Sequence, residues 1–349
     1  MRKRQLPALL AAASLALWTG AALSGCGDDT GGGGTGGTGG TGGTGGTAGG
    51  GGAPSGANPV SNAATFSQPL DAVPTANGQT IYFTAFDANN AAQVFRVAAG
   101  GGMVEQVSNG ASPLEVPSGL VLAPDDKTLY IADLTAARAA DSGAIGGLYK
   151  LALPAGGVAT AISGGDAAIY PIGIALSHDG ATLYFTGALA ADASPAVFSM
   201  PAGGGTATAL TSGGQLRDPS GIAVASDGTV YLVDTIAAGE TSAQVFKLAG
   251  SGAPTTLATD LRVGFPAGLT LSGDEKQLIV SGASHGAAAG VLLAVPVGGG
   301  TASPLDFTRA GVTSPAGLHR AAMANVYALA DDLAANQGAG QTGAIFRLQ

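Results

Sequence analysis

The side chains best placed by type to do chemistry are carboxylates. Asp133 and Asp234 end predicted strands, and Asp331 lies one step further along its own segment. Arg138, Asp141, Arg217, Asp218, Glu240, Arg262, His285 and Asp332 fall in or beside the loops between such strands. Carboxylates converging from several loops would hold a hard cation through oxygen, and a metal so held would activate water. A single Asp at a strand end has a simpler use, accepting backbone N–H groups of the turn that follows. The capping reading is preferred for all three aspartates, and the other loop residues are expected to line a solvated binding face.

The remaining motifs point to no chemistry. The only histidines are His178, His285 and His319. None forms an HExxH pair and no thiol lies near them, so no zinc site is predicted, and no residue is assigned as a metal ligand. Gly282, Ser284 and Gly286 fit G-x-S-x-G, but that elbow needs a strand-to-helix turn in a parallel sheet, and here it opens a hairpin loop. Residues 34–39 fit G-x-G-x-x-G without the strand before or the helix after that phosphate binding requires. No catalytic residue is assigned.

The elements that must position these groups form a repeat. A step of Pro, any residue, Gly and an apolar residue recurs at Pro117, Pro171, Pro219, Pro266 and Pro315, with a degenerate copy at Pro69 in which Asp71 stands for the glycine. The prolines are 48, 54, 48, 47 and 49 residues apart. Each Gly, or Asp71, precedes by 10 or 11 residues one of Tyr82, Tyr130, Tyr184, Tyr231, Ile279 and Tyr327. Six units of about 48 residues follow. Unit 4 shows the pattern: strands over residues 221–225, 229–233 and 244–248, a Ser-Asp-Gly turn between the first two, and a Gly-rich turn before a fourth. Four short strands per unit predict an all-β fold, a six-bladed β-propeller of four-stranded antiparallel blades. The apolar runs are nearly continuous, as in residues 291–297, so both faces of each blade are buried. Small residues crowd the first strand of each unit, which places it nearest the axis. The loops after the second strand, at residues 134–146 and 331–343, share a face with the P-x-G steps. Unit 6 stops after its third strand, so a strand at residues 64–68 is expected to close it.

Composition agrees. The chain has 60 Gly, 11% charged residues and a formal net charge of -9. Without Arg2, Lys3 and Arg4 the balance is 11 basic against 23 acidic residues, or -12, which disfavours nucleic acid as a partner.

The amino-terminal region carries export features. Residues 1–4 are basic, residues 6–17 apolar, and Leu23-Ser24-Gly25-Cys26 closes the segment. No stop-transfer cluster follows, which argues against a retained transmembrane helix. The closing tetrapeptide resembles the lipobox of bacterial lipoproteins. That resemblance implies cleavage before Cys26, a diacylglycerol on its thiol as the membrane partner and, with Gly27 following, the outer membrane as the favoured location. Residues 27–59 are nearly all Gly with Thr at every third position, a disordered tether with an r.m.s. span of roughly 30 Å. The expected domains are a signal peptide at residues 1–25, a lipidated tether at 26–60 and the propeller at 61–349.

The P-x-G-h-x-h step followed by D-G-x-h-Y, clearest in residues 219–234, resembles the NHL-repeat and regucalcin/gluconolactonase superfamily of TolB-like six-bladed propellers. In its lactonase-like members an Asn and an Asp between Pro and Gly ligate metal. Here those positions hold Leu70, Ser118, Ile172, Ser220, Ala267 and Ala316, poor ligands for a hard cation. The expected function is therefore a lipid-anchored envelope protein presenting a propeller face to a protein or glycan, with no cofactor. The alternative is a divergent hydrolase, lactonase or lyase using a divalent metal such as calcium held by Asp133, Asp234 and Asp331.

Overall fold

The computed structural model describes residues 51–61, 65–137, 145–162, 164–237, 242–284, 291–335 and 342–349. The leader, Cys26 and the tether as far as residue 50 lie outside the described residues. Among the described residues the fold is all-β, with one 3-10 turn at Thr308–Ala310 and no α-helix. None of their elements is a helix long and apolar enough to cross a membrane.

Strand β1 (Ala57–Pro59) precedes the first repeat unit. Unit 1 is β2 (Ser67–Pro74), β3 (Thr80–Phe86), β4 (Ala92–Ala98) and β5 (Glu105–Gln106), paired in that order. Unit 2 repeats the meander with β6 (Pro117–Leu122), β7 (Thr128–Ala137), β8 (Ile145–Ala152) and β9 (Thr160–Ala161). Unit 3 comprises β11 (Ile174–Leu176), β12 (Thr182–Leu189), β13 (Pro195–Pro201) and β14 (Thr208–Ser212), with β10 (Ala168–Ile169) also on β12. Units 4 and 5 share one eight-stranded sheet. It contains β15 (Pro219–Val224), β16 (Val230–Asp234), β17 (Ala243–Leu248), β18 (Thr255–Val263), β19 (Leu269–Leu271), β20 (Gln277–Ser284), β21 (Val291–Pro296) and β22 (Ser303–Asp306). The joint is β18, whose Leu261–Val263 end also pairs with β20. Unit 6 holds β23 (Pro315–Arg320), β24 (Tyr327–Ala335) and β25 (Thr342–Leu348), and its fourth strand is β1.

The reasons are local. All five residues of β16 are buried, as are the first five of β21, as expected for sheets covered on both faces. The first hairpin of a unit closes by an Asx turn: Asp179 Oδ1 accepts from Ala181 N at 3.0 Å and Asp227 Oδ1 from Thr229 N at 2.8 Å.

The first strands abut in a closed ring. A methyl on Gly119 would overlap the Ile172 carbonyl, one on Gly173 the Ser220 carbonyl, one on Gly221 the Ala267 carbonyl, and one on Gly268 the Ala316 carbonyl. Gly317 abuts Asp71 and returns the ring to unit 1. The recurring glycine thus lets backbone meet backbone at the axis. The Gly-rich turns do the same at the rim. The Gly157 N–H donates to Val107 O at 3.0 Å and the Gly252 N–H to Leu210 O at 3.1 Å, tying each turn to the unit before.

Two expectations change. The strand that closes unit 6 is β1, Ala57–Pro59 against Leu348–Phe346, not residues 64–68. Phe66 is fully buried, 4.9 Å from Phe83 and 6.0 Å from Phe95 between ring centroids, and this packing leads the chain into β2 instead. The folded body also starts earlier than residue 61. Ser55 N and Gly56 N donate to Gln349 O, Ala53 and Ala57 pack on the unit 6 core, and Tyr327 Oη donates to Gly52 O at 3.0 Å. Composition could not show this, because these contacts are made mostly by backbone. Burial pushes the Tyr327 phenol up to about 12.

Candidate functional site

The three aspartates of the loop face are buried. Asp133 accepts four backbone N–H groups, from Glu115 (2.8 Å), Val116 (3.1 Å), Thr135 (3.1 Å) and Ala136 (2.8 Å). Asp234 accepts from Arg217 N (2.7 Å), Asp218 N (3.1 Å) and Ile236 N (3.3 Å). Asp331 accepts from Thr313 N (2.6 Å), Thr313 Oγ1 (3.0 Å) and Ser314 N (3.0 Å). Each therefore knots the end of its second strand to the segment that enters the first. Burial pushes the Asp133 and Asp234 carboxyls up, and the backbone N–H groups pull against it.

Asp331 is not displaced. It pairs with Pro315 as Asp133 pairs with Pro117 and Asp234 with Pro219. The displaced residue is Tyr327, which pairs with Arg320 and is fully buried.

Beside each knot is a second matched position. Leu134 N donates to Val116 O (2.9 Å), Thr235 N to Asp218 O (3.0 Å) and Asp332 N to Ser314 O (3.3 Å). The side chains compensate: Val116 and Leu134 are both apolar, Thr235 Oγ1 donates to Asp218 Oδ2 at 2.5 Å, and unit 6 reverses that pair with Ser314 and Asp332. Burial pushes both Asp218 and Asp332 up, Asp332 with a further push from Asp331. Among the described residues Asp332 Oδ1 is buried without a hydrogen-bond partner.

The odd-numbered units place a hydroxyl one residue earlier in the second strand, opposite the Gly or Asp71 of the first. Thr84 Oγ1 donates to Pro117 O (2.8 Å), Thr186 Oγ1 to Ser220 O (2.7 Å), and Ser281 Oγ accepts from Gly268 N (2.6 Å). The strand-end aspartate thus occurs in units 2, 4 and 6, and the hydroxyl one residue before it in units 1, 3 and 5.

Of the other expected face residues, Arg217 is exposed and donates through Nη1 to the Gly214 and Leu216 carbonyls. Arg262 is exposed on β18, opposite Ala283. Arg138, Asp141, Glu240 and His285 lie outside the described residues, as does Cys26. Among the described residues no three His, Cys, Asp or Glu side chains converge as metal ligands. Ser284 belongs to β20 and pairs with Leu261, so G-x-S-x-G ends a strand of an antiparallel sheet.

A different pair occupies the axis. Asp71 Oδ2 accepts from Leu120 N (2.7 Å) and lies 3.0 Å from His319 Nε2, while Oδ1 accepts from Ala72 N (2.8 Å). One carboxylate thus joins units 1, 2 and 6. The two residues line a water-sized axial cavity with Ser118, Ile174, Ile222, Leu269 and Leu318. Ser118 Oγ donates across the ring to Ile172 O (3.0 Å), and Ser220 Oγ accepts from Ala267 N (3.0 Å). Sequence reasoning passed over this pair although both members break the repeat. Asp71 stands where five units have Gly, and His319 where the others have Val73, Val121, Ala175, Ala223 and Thr270.

No protein-family model matches the sequence, and no curated protein matches it either. Solved structures do. A triple arginine mutant of AofleA from Arthrobotrys oligospora superposes with a TM-score of 0.52 at 12% identity, over 77% of this chain and 81% of that one. Regucalcin, a calcium-binding protein from Agrobacterium tumefaciens, gives 0.51 at 13%, over 81% and 90%. A gluconolactonase from Xanthomonas campestris gives 0.50 at 12%, over 84% and 95%. The chain has a fold similar to that of these β-propellers. At such identities the likeness concerns the fold alone.

Proposed function

We propose that this protein is an envelope lipoprotein, held by a diacylglycerol on Cys26, whose six units form a six-bladed propeller that presents its loop face as a binding surface for a protein or glycan. The observation that carries the reading is the use of Asp133, Asp234 and Asp331. Their oxygens take up backbone N–H groups, so the carboxylates that an enzyme of the metal-dependent kind would need serve instead to hold the loops in place. Rigid knots beneath variable loops are what a recognition face requires. Export and anchoring are supported by the residues before Cys26, and placement in the outer membrane by Gly27.

Two experiments test it. Metabolic labelling with an alkyne fatty acid tags the wild-type protein and not Cys26→Ser; equal labelling would remove the anchor. A photo-crosslinking amino acid at position 138, 217 or 262 of the full-length protein captures a discrete envelope component, whereas one at position 127 or 178, in the hairpin turns, does not. Capture independent of position would overturn the loop face as the binding surface.

A further inference from the structure

The folded body has two ends. The P-x-G steps and the aspartate knots lie at one, and the first hairpin turns lie a strand length away at the other. The Gly-rich turns adjoin those hairpins, since Ala99 N donates to Gln79 O and Leu153 N to Lys127 O, both at 2.8 Å. The chain enters at the hairpin end. Gly51 O accepts from Asp274 N in the unit 5 turn at 3.3 Å, and a methyl on Gly51 would overlap the Asn325 side chain in the unit 6 turn. From there β1 runs toward the loop face, antiparallel to β25. Residues 27–50, 24 in all, separate Cys26 from this entry point.

The hairpin end is not uniform. Units 2 to 5 place Asp125, Asp126, Asp179, Asp227, Asp274 and Glu275 in their first turns, against Lys127 and Lys276. The first turns of units 6 and 1, residues 321–326 and 75–80, contain no charged residue, and neither do the Gly-rich turns at residues 98–104 and 152–158. The turns of units 6 and 1 are joined, Met323 N donating to Ala76 O at 2.8 Å. Two charged side chains that reach this sector are bound to its backbone: Asp126 Oδ1 accepts from Ala76 N (3.0 Å), and Arg320 Nη1 donates to Ala324 O (3.4 Å). Among the described residues four large apolar side chains are exposed, and three of them are in these turns: Met103 (80%), Met323 (69%) and Val158 (45%). One exposed apolar residue is ordinary; three in the uncharged turns of adjacent units, on the end where the chain enters, form a surface matched to a partner.

We propose that the hairpin end of units 6 and 1 docks on a zwitterionic lipid surface, the one that holds the Cys26 anchor, with Met323 and Met103 entering the headgroup layer. The inference rests on the reading of Cys26 as lipidated and adds which end of the body meets the bilayer. Three side chains are too few to hold a free protein on lipid. A Gly-rich segment of 24 residues spans roughly 27 Å r.m.s., so an acylated Cys26 keeps this end at roughly millimolar effective concentration beside the bilayer, where weak contacts suffice. The acidic turns of units 2 to 5 are repelled by anionic headgroups, so the uncharged sector leads and the matching lipid is neutral overall. The loop face, at the opposite end of the first strands, is then turned away from the membrane and left free for its own partner.

The only tryptophan, Trp18, precedes Cys26 and leaves with the leader, so an introduced tryptophan reports alone. The protein, expressed from the full-length chain and purified with its lipid, is reconstituted in phosphatidylcholine vesicles that carry a headgroup nitroxide. Met323→Trp and Met103→Trp lose emission to the nitroxide, and Arg217→Trp, on the loop face, keeps it. Either methionine variant decides the matter if the other misfolds. Adding phosphatidylglycerol weakens the quenching. A protein that does not float with the vesicles removes the anchor, and the docking with it. A protein that floats with Arg217→Trp quenched as strongly as Met323→Trp, or with none of the three quenched, overturns the docking and leaves the anchor standing. Quenching that strengthens with phosphatidylglycerol overturns the uncharged sector as the contact. Emission from both methionine variants that is already blue-shifted without vesicles puts a second copy of the chain on this surface in place of lipid.

Discussion

The loop-face aspartates and the axial aspartate are chemically alike and structurally unlike. Asp133, Asp234 and Asp331 occur at the same register in alternate units and accept backbone N–H groups of their own unit. Asp71 occurs once, spans three units, and faces a cavity through a histidine. In a repeat protein a polar group present in every second unit answers a need of the fold, which every second unit shares. A polar group present in one unit answers a need that the fold itself does not impose. Buried charge alone separates the two cases poorly; its position relative to the repeat separates them well.

The largest expected effect tests the structural side of this contrast. Asp133→Ala leaves four backbone N–H groups without their acceptor and should cost about 3–5 kcal/mol in chemical denaturation. A loss under about 1 kcal/mol would mean that water replaces the carboxylate and the knot is not structural. Next, Gly173→Ala drives a methyl into the Ser220 carbonyl and should cost about 2–3 kcal/mol, while Gly110→Ala, with open space around it, should stay within about 0.5 kcal/mol. Equal effects would dissolve the ring argument.

Asp71→Asn keeps the shape but exchanges one acceptor oxygen for an amide, and should cost about 1–2 kcal/mol. A loss as large as that of Asp133→Ala would reclassify Asp71 as a fourth knot. Smaller still is the reciprocal exchange in unit 4. Asp218→Ser and Thr235→Asp should each lose about 1 kcal/mol, and the double variant, which copies the Ser314 and Asp332 arrangement of unit 6, should recover most of it.

The smallest effect concerns pH. Burial pushes the Asp218 and Asp332 carboxyls up in the folded protein, so the native state binds protons more readily there than the unfolded chain does. Stability contributed by these groups is present at low pH and falls as pH rises through the raised values. Asp218→Asn should flatten the decline of the thermal midpoint as pH rises above the ordinary carboxylate value of about 3.9. An unchanged slope would show that Asp218 is solvated.

Much of this was legible in the chain. The P-x-G step and its spacing identify the units because glycine is required wherever first strands meet backbone to backbone. The capping role of Asp133 and Asp234 followed from their place at strand ends, although their second set of donors, from the segment before each proline, did not. Asp331 looked out of register only because Tyr327 was used as the reference, and Tyr327 is the residue that moved. The early start of the body was hidden because glycine and alanine carry no apolar pattern when they contact through backbone.

By itself, then, the sequence determined the unit, the strand content and the places where side chains must be absent, since these are local demands of turns, pleats and close approach. Tertiary structure alone decided that β1 is the missing strand of unit 6 and that Asp71 meets His319 across 248 residues. Both depend on closure of the ring, which brings the first and last units together. Which residues then face each other is set by the register and axial crowding of all the units at once, and no local pattern encodes that.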